Sequence, residues 1–537
     1  MSFFCRRMSF NFCKRFVKIA VLDPIEPVAS DVVLRSSYLL FQTRSEFIAS
    51  MPGYLRRRMA HRSPSLLLSF LPIIFLVGLL VVNLIVFGDG GLDGPNQLAL
   101  LFGGAVALLI GLRNGQTFSD LLDHILRSIH TALGAIVILL LIGALAGTWL
   151  ISGVVPAMIT HGLQLLSPKV FLFASCLVCA VVSLATGSSW STAATVGIAL
   201  MGIGRAMGFH EGLVAGAVIS GAYFGDKLSP LSDTTNLAPA VAGTDLFSHI
   251  RYMLNTTVPT MGITLVVFAG IGMFTDNSNA MVDTATFEAA IASQFNIGWY
   301  LYLVPLAVVI MIWRKMPALP ALFIGALLGG VFAVLFQPQL IDTLAGPGHS
   351  FALRSYKVVL SAMGSGGAVV TGNATMDELL TAGGMFGMLK TIWLILCAMI
   401  FGGAMEGAGL LQRITAALIS RVKSDGSLIA TTAASCIFVN ATASDQYLSI
   451  VLPGRMFAPV FAEHDLDPKV LSRTLEDSGT VTSALVPWNT CGAYMGSVLG
   501  VATMTYLPFC FFNLLSPVMT VVQGAIGFRI ARLKKKS

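Results

Sequence analysis

Apolar runs of near-bilayer length recur along almost the whole of this chain, and they leave it few ways to fold. Twelve of them, at 67–87, 98–112, 131–151, 170–185, 192–207, 258–274, 297–313, 319–336, 389–411, 427–439, 447–461 and 503–526, reach or approach the length a spanning helix needs, which is about 20 residues. Weaker segments at 152–166, 212–225 and 480–501 suit short, re-entrant or broken helices. Lipid offers no partner to an unpaired backbone N–H or C=O, so the spans are expected to be helical throughout, roughly 10 to 13 of them.

Composition agrees with this reading. Of 537 residues 55% are hydrophobic and 11% charged, where a soluble domain carries about 25% charged residues, and the mean hydropathy is +0.81. The fold class is therefore an all-α polytopic membrane protein.

Charge is distributed unevenly. The first 62 residues hold 11 Lys/Arg and 4 Asp/Glu, and the remaining 475 hold 22 of each, so the whole net charge of +7 sits in the N-terminal arm. That arm has neither a signal-peptide apolar core nor a span. It reads either as a basic cytoplasmic extension touching anionic lipid or as translated upstream sequence, with the working start at Met51 or Met59. Arg56, Arg57, Arg58 and Arg62 precede the first apolar run, and Arg529, Arg532 and three lysines close the chain. The positive-inside rule then places both termini in the cytoplasm and implies an even number of full spans. Asp276, Asp283 and Glu288, in a stretch without Lys or Arg, mark an external loop. The expected layout is a basic arm at 1–62, a first transmembrane half at 63–336, a polar connection at 337–388, a second transmembrane half at 389–528 and a basic cytoplasmic tail at 529–537.

Within the apolar background one segment stands out: Gly221-Ala-Tyr-Phe-Gly-Asp-Lys-Leu-Ser-Pro-Leu-Ser-Asp-Thr-Thr-Asn236. A single Asp or Lys at the centre of a spanning helix costs roughly 2.5 to 3.5 kcal/mol, so Asp226, Lys227 and Asp233 together point to an ion path. A weaker echo follows in the second half. Thr186-Gly-Ser-Ser-Trp-Ser-Thr192 has its counterpart in Asn440-Ala-Thr-Ala-Ser-Asp-Gln446, and the Asp226 segment in Glu476-Asp-Ser-Gly-Thr480 with Pro487-Trp-Asn-Thr490. Thr192 to Asp226 spans 34 residues and Asp445 to Asp477 spans 32. Paired polar interruptions in two halves indicate a secondary transporter with its site at a repeat interface near the midplane, and inverted repeats are expected.

Proline sharpens the pattern. In a helix Pro230, Pro239 and Pro487 would free the carbonyls of Asp226, Thr235 and Ser483. Freed carbonyls, Ser and Thr hydroxyls, Asn amides and carboxylates form the oxygen cage that hard cations prefer, and no His or Cys spacing suits a transition metal. Candidate ion-binding residues are Asp226, Lys227, Ser229, Ser232, Asp233, Thr234, Thr235 and Asn236 in the first half. In the second they are Asn440, Thr442, Ser444, Asp445, Glu476, Asp477, Ser478, Thr480, Asn489 and Thr490. Asp233 and Asp445 are the favoured sodium ligands, although either could instead cap a helix. Glu406, alone among glycines, is a candidate proton site, while the glycines themselves suit close helix packing. Lys227 either competes with the ion for Asp226 or serves as a fixed structural partner. Cys176 and Cys179 share an apolar helix face, where thiols act as small hydrophobes.

The Gly221 to Pro239 block resembles the signature of the NhaC-type sodium/proton antiporters of the ion transporter superfamily. Gly187 to Thr192, Glu476 to Thr480 and Pro487 to Thr490 resemble that family's other recurrent blocks. The likeness runs from about 67 to 526 and leaves the N-terminal arm outside. It implies a bacterial inner-membrane exchanger of sodium for protons; relatives that exchange malate and lactate leave a sodium- or proton-coupled organic-anion exchanger as the alternative. It also carries Trp488 into the later block.

Exchange at one shared site would need a carboxylate that releases its proton near cytoplasmic pH, well above the usual value of about 4 for Asp; desolvation and a second carboxylate both push that way. No covalent chemistry and no cofactor are expected. An intramembrane enzyme would need a nucleophile with a base, and Ser188 and Ser189 have no evident histidine partner. A passive channel could be built from the same residue types, but the two-half pattern favours alternating access. The expected partners are sodium and protons, with a small organic anion as the alternative cargo, membrane lipid around the spans, a homodimer left open, and no nucleic acid.

Overall fold

The computed structural model describes residues 64–87, 93–275, 284–314, 316–348, 350–371, 377, 380–420 and 422–533. The basic N-terminal arm, Asp276, Asp283, Lys315, Arg421 and the last four residues lie outside the described residues. Helices account for nearly all of what is described. A two-residue antiparallel pair, Gly367–Ala368 against Thr381–Ala382, lies in the stretch between the two helix-rich halves. That stretch also folds into helices at Pro338–Ala345 and Phe351–Gly364.

Eight helices among the described residues are long and apolar enough to cross a membrane, and nine if the bent pair Thr503–Phe509 and Phe511–Ala525 counts as one span. The sequence suggested more because several apolar runs fold into shorter pieces. Val154–Leu165, Trp299–Trp313 and Leu410–Ile419 are short apolar helices. Glu211–Leu228 and Gln446–Glu463 have the length of a span but carry the polar residues of the site.

Lipid contact explains the outer helices. Only 12% of the most apolar window of Leu66–Phe87 is buried within the protein, and Leu67, Ile74, Ile85 and Val86 face outward. Phe118–Ile151, at 34 residues, is about 51 Å long, more than the hydrocarbon core of about 30 Å requires. Its first turns, capped by Thr117 Oγ1 on Asp120 N–H at 3.2 Å, carry Asp120, Asp123 and Arg127, which suits an end standing in water.

Inner helices meet at small residues. A Cβ on Gly221 would lie 2.0 Å from Cys176 O, and one on Gly225 would lie 2.3 Å from Ala180 O, so Glu211–Leu228 rests directly on the backbone of Pro168–Thr186. Small residues four apart allow this approach in membranes, where dispersion and not water expulsion holds helices together. The glycines around Glu406 act similarly: Gly402 abuts Ala443 O and Gly403 abuts Ile125 Cα. Cys176 and Cys179 are buried thiols in the same packed layer.

Candidate functional site

Two stretches of the chain carry the same succession of elements, each boundary of the second lying 257 residues after its counterpart in the first. Helix Pro168–Thr186 corresponds to Asp425–Ala443, and the rod from Ser189 to Ala206 to Gln446–Glu463. Glu211–Leu228 corresponds to the helical run from Pro468 to Leu485, and Asp233–Ala242 to Thr490–Leu499. Left-handed backbone recurs at the same joints: Gly187 and Ser444, Gly208 and Asp465, Gly243 and Gly500. Even individual hydrogen bonds repeat, Ser183 Oγ donating to Ala222 O and Asn440 Nδ2 to Gly479 O, both at 2.6 Å.

Each stretch contains two helix breaks. At the first, a left-handed residue ends one helix and the next residue caps another: Gly187 then Ser188, whose Oγ accepts from Ser191 N–H at 3.1 Å, and Ser444 then Asp445, whose Oδ1 accepts from Leu448 N–H at 2.7 Å. At the second break a proline lies two residues before the cap, Pro230 before Ser232 and Pro487 before Asn489. Both prolines were expected to break helices, and both do. The register differs from the one suggested by the spacing of aspartates, since Asp445 corresponds to Ser188 and Asp226 to Ser483.

The carboxylates of the two stretches meet at these breaks. Asp226 is buried and accepts from Ser189 N–H at 3.1 Å and Ser189 Oγ–H at 2.6 Å, with Ser232 a further hydrogen-bond partner. Ser232 Oγ lies 3.2 Å from Thr234 Oγ1, which donates to Glu476 Oε1 at 3.0 Å. One line of hydroxyls thus joins Asp226 of the first stretch to Glu476 of the second. Glu476 Oε2 is buried with no hydrogen-bond partner.

Lys227 and Asp477 form a second link between the stretches, a fully buried ion pair. Ser516 and Thr520 of the Phe511–Ala525 helix also donate to Asp477, and Arg473 Nε approaches it to 4.0 Å. Lys227 therefore does not neutralise its neighbour Asp226; its partner lies 250 residues away.

Pro230 does not leave a free carbonyl at Asp226. That oxygen accepts from Ser229 N–H at 3.1 Å and Thr235 Oγ1–H at 3.2 Å, and Thr235 also reaches Lys227 O. Ser483 O likewise receives Val486 N–H at 3.4 Å. Asn236 ties the loop by donating to Pro230 O and Ser232 O, and Ser229 Oγ accepts from Leu231 N–H. The side chains of Ser229, Thr235 and Asn236 are thus engaged in holding the break.

Around the second stretch the amides do similar work. Asn440 also donates to Thr482 Oγ1, Asn489 donates to Asn440 O, and Thr490 N–H donates to Ser444 O, each at 3.0 to 3.1 Å. Thr442 bonds back to Phe438 O, and Trp488 donates to Ala441 O. The hydroxyls of Ser478 and Thr480 are buried, and Thr480 lies within reach of Glu476. Asp445 is buried at its cap position near Thr131 and within electrostatic range of half-buried Glu406. Asp233 is exposed in the first turn of its helix, and both it and Asp445 lie within electrostatic range of Tyr447.

Sequence reasoning passed over Ser189, Arg473, Ser516 and Thr520. A signal existed for three of them. Arg473 stands four residues before Asp477, and Asn513, Ser516, Thr520 and Gln523 form a polar stripe at helical spacing in an apolar run.

Buried carboxylates at paired helix breaks, in an otherwise apolar helical protein, define an ion-coupled membrane transporter. The model of the Na+/H+ antiporter family matches residues 221–528. An Na(+)/H(+) antiporter NhaC of Alkalihalophilus pseudofirmus is 39% identical over 427 residues, which cover 80% of this chain and 89% of that one. A malate-2H(+)/Na(+)-lactate antiporter of Bacillus subtilis is 36% identical over 449 residues, 83% and 92% of the two chains. An arginine/ornithine antiporter ArcD of Halobacterium salinarum is 36% identical over 474 residues, 87% and 93%. The chain belongs to the Na+/H+ antiporter family.

Proposed function

We propose that the protein exchanges sodium ions for protons across the bacterial inner membrane, with both termini cytoplasmic. The observation that carries this reading is the line of hydroxyls joining Asp226 to Glu476, one carboxylate from each of two equivalent broken-helix stretches, in a member of this family. The two stretches act as inverted repeats, and rocking of one against the other exposes the carboxylates to each side in turn. Sodium and protons compete for the same oxygens, so one must leave before the other enters. No covalent step and no cofactor take part.

A second reading is exchange of a small organic ion. It is favoured by fully buried Arg473, whose Nη2 has no hydrogen-bond partner and which could receive a carboxylate, and by the malate/lactate and arginine/ornithine antiporters among the relatives.

The purified protein in liposomes with an entrapped pH-sensitive dye and an imposed proton gradient separates the two. Dequenching by sodium alone is expected. A response only after malate, lactate or arginine is added would replace sodium/proton exchange by the organic-ion reading.

A further inference from the structure

Resting on the exchange reading above, we infer that the transported cation, Na+ or H+, sits against Glu476 Oε2, with Thr480 Oγ1 and the Asp226 carboxylate as its neighbours. The argument begins with an unpaired atom. Glu476 is fully buried, and one of its oxygens takes Thr234 Oγ1–H while the other has no donor. A buried ionised oxygen without a partner is costly, and a proton or a metal cation removes that cost. The exchanged species are those two.

Nearby cations do not supply the partner. Lys227 is committed to Asp477 and Ser516, and Arg473 lies beside Asp477 and donates to Gln523. Asp477, with two cations and two hydroxyl donors around it, is already satisfied. It positions the helix that carries Glu476 and does not face the transported ion.

Oxygens for a hard cation gather on the other side of Glu476. Thr480, fully buried and within reach of Glu476, has a hydroxyl with no geometrically satisfied bond. Asp226 lies within electrostatic range and is linked through Ser232 and Thr234. The turn carrying both second-stretch groups, Glu476–Thr480, is a π-helix, a local widening of the kind often found at functional sites.

Charge supports a cation here. The buried charged groups are four carboxylates, Asp226, Asp445, Glu476 and Asp477, against two cations, Lys227 and Arg473. His249 is buried with Nδ1 2.5 Å from Ser472 Oγ, and Asp233 is exposed to solvent. Buried carboxylates thus outnumber buried cations, which favours a cation beside Glu476.

Three measurements on the full-length protein in liposomes test this. In the wild type the sodium concentration for half-maximal dequenching rises as pH falls through the proton-binding range, the mark of competition at a shared carboxylate; a concentration independent of pH would overturn the shared site. Glu476→Gln keeps the shape and removes the charge, and it is expected to abolish the sodium response. Thr480→Val keeps the carboxylate and is expected to raise the half-maximal sodium concentration about fivefold, the effect of one lost oxygen ligand. A Glu476→Gln protein with a wild-type sodium response, or a Thr480→Val protein with unchanged sodium affinity, would move the site elsewhere while leaving sodium/proton exchange intact. A wild type silent to sodium would instead end the exchange reading itself.

Discussion

Lys227 shows why local sequence could not reveal the partner of a buried charge. Its neighbour Asp226 is the obvious partner on paper, yet Asp226 is bonded to Ser189 and Lys227 crosses to Asp477 on another stretch. A pairing 250 residues apart is a product of tertiary packing. Removing one member of a buried pair leaves the other charge uncompensated, at a cost of about 3 to 5 kcal/mol. Lys227→Met should therefore lower the melting temperature of the detergent-solubilised protein sharply, and Lys227→Met combined with Asp477→Leu should recover most of the loss. A single variant that melts like the wild type would show that the pair is not structural. Asp226, by contrast, draws attention in the sequence itself, because a carboxylate in an apolar run is costly. Asp226→Asn should leave folding near normal and abolish sodium-driven dequenching; retained exchange would remove it from the site.

Helix breaks carry the site, and their signals in the sequence were unequal. Pro230 and Pro487 announce the second break of each stretch because a proline cannot continue a helix. Gly187 suits the first break for the reason glycine always does at positive φ. Ser444 fills the equivalent place at φ 60 with nothing in its side chain to advertise it, so the break in the second half showed itself only through the capping Asp445. The aspartate spacing then suggested a register in which Asp445 matched Thr192, whereas the backbone pairs it with Ser188. Polar residues are dense enough at each break that a shift of four positions still aligns one with another. A left-handed conformation costs a non-glycine residue roughly 1 to 2 kcal/mol. Ser444→Gly is accordingly expected to raise the melting temperature by a few degrees and Ser444→Val to lower it, and the reverse order would contradict the assigned backbone. Packing makes a parallel test: Gly221→Leu places side-chain atoms where Cys176 O lies 2.0 Å from an added Cβ, and this variant should fail to give a monodisperse protein in detergent.

At the scale of the whole molecule, the constant displacement of 257 residues between the two stretches makes the site a joint product of both. The apolar runs made a helical membrane protein plain from the sequence, and the polar echoes made two related halves plain. Neither showed that the stretches would contribute complementary carboxylates, Asp226 from one and Glu476 from the other, because sequence similarity between them has faded to a few joints. In the proposed mechanism two rocking stretches around a shared site couple one ion to the other, whereas a continuous pore would let each run down its own gradient. The most direct measurement is uptake of labelled sodium into liposomes holding the wild-type protein, with the interior more acidic than the bath and no sodium gradient imposed. Coupled exchange predicts that sodium accumulates inside above its external concentration and that a protonophore with a potassium/proton ionophore abolishes the accumulation. Sodium that only equilibrates, whatever the proton gradient, would contradict the account.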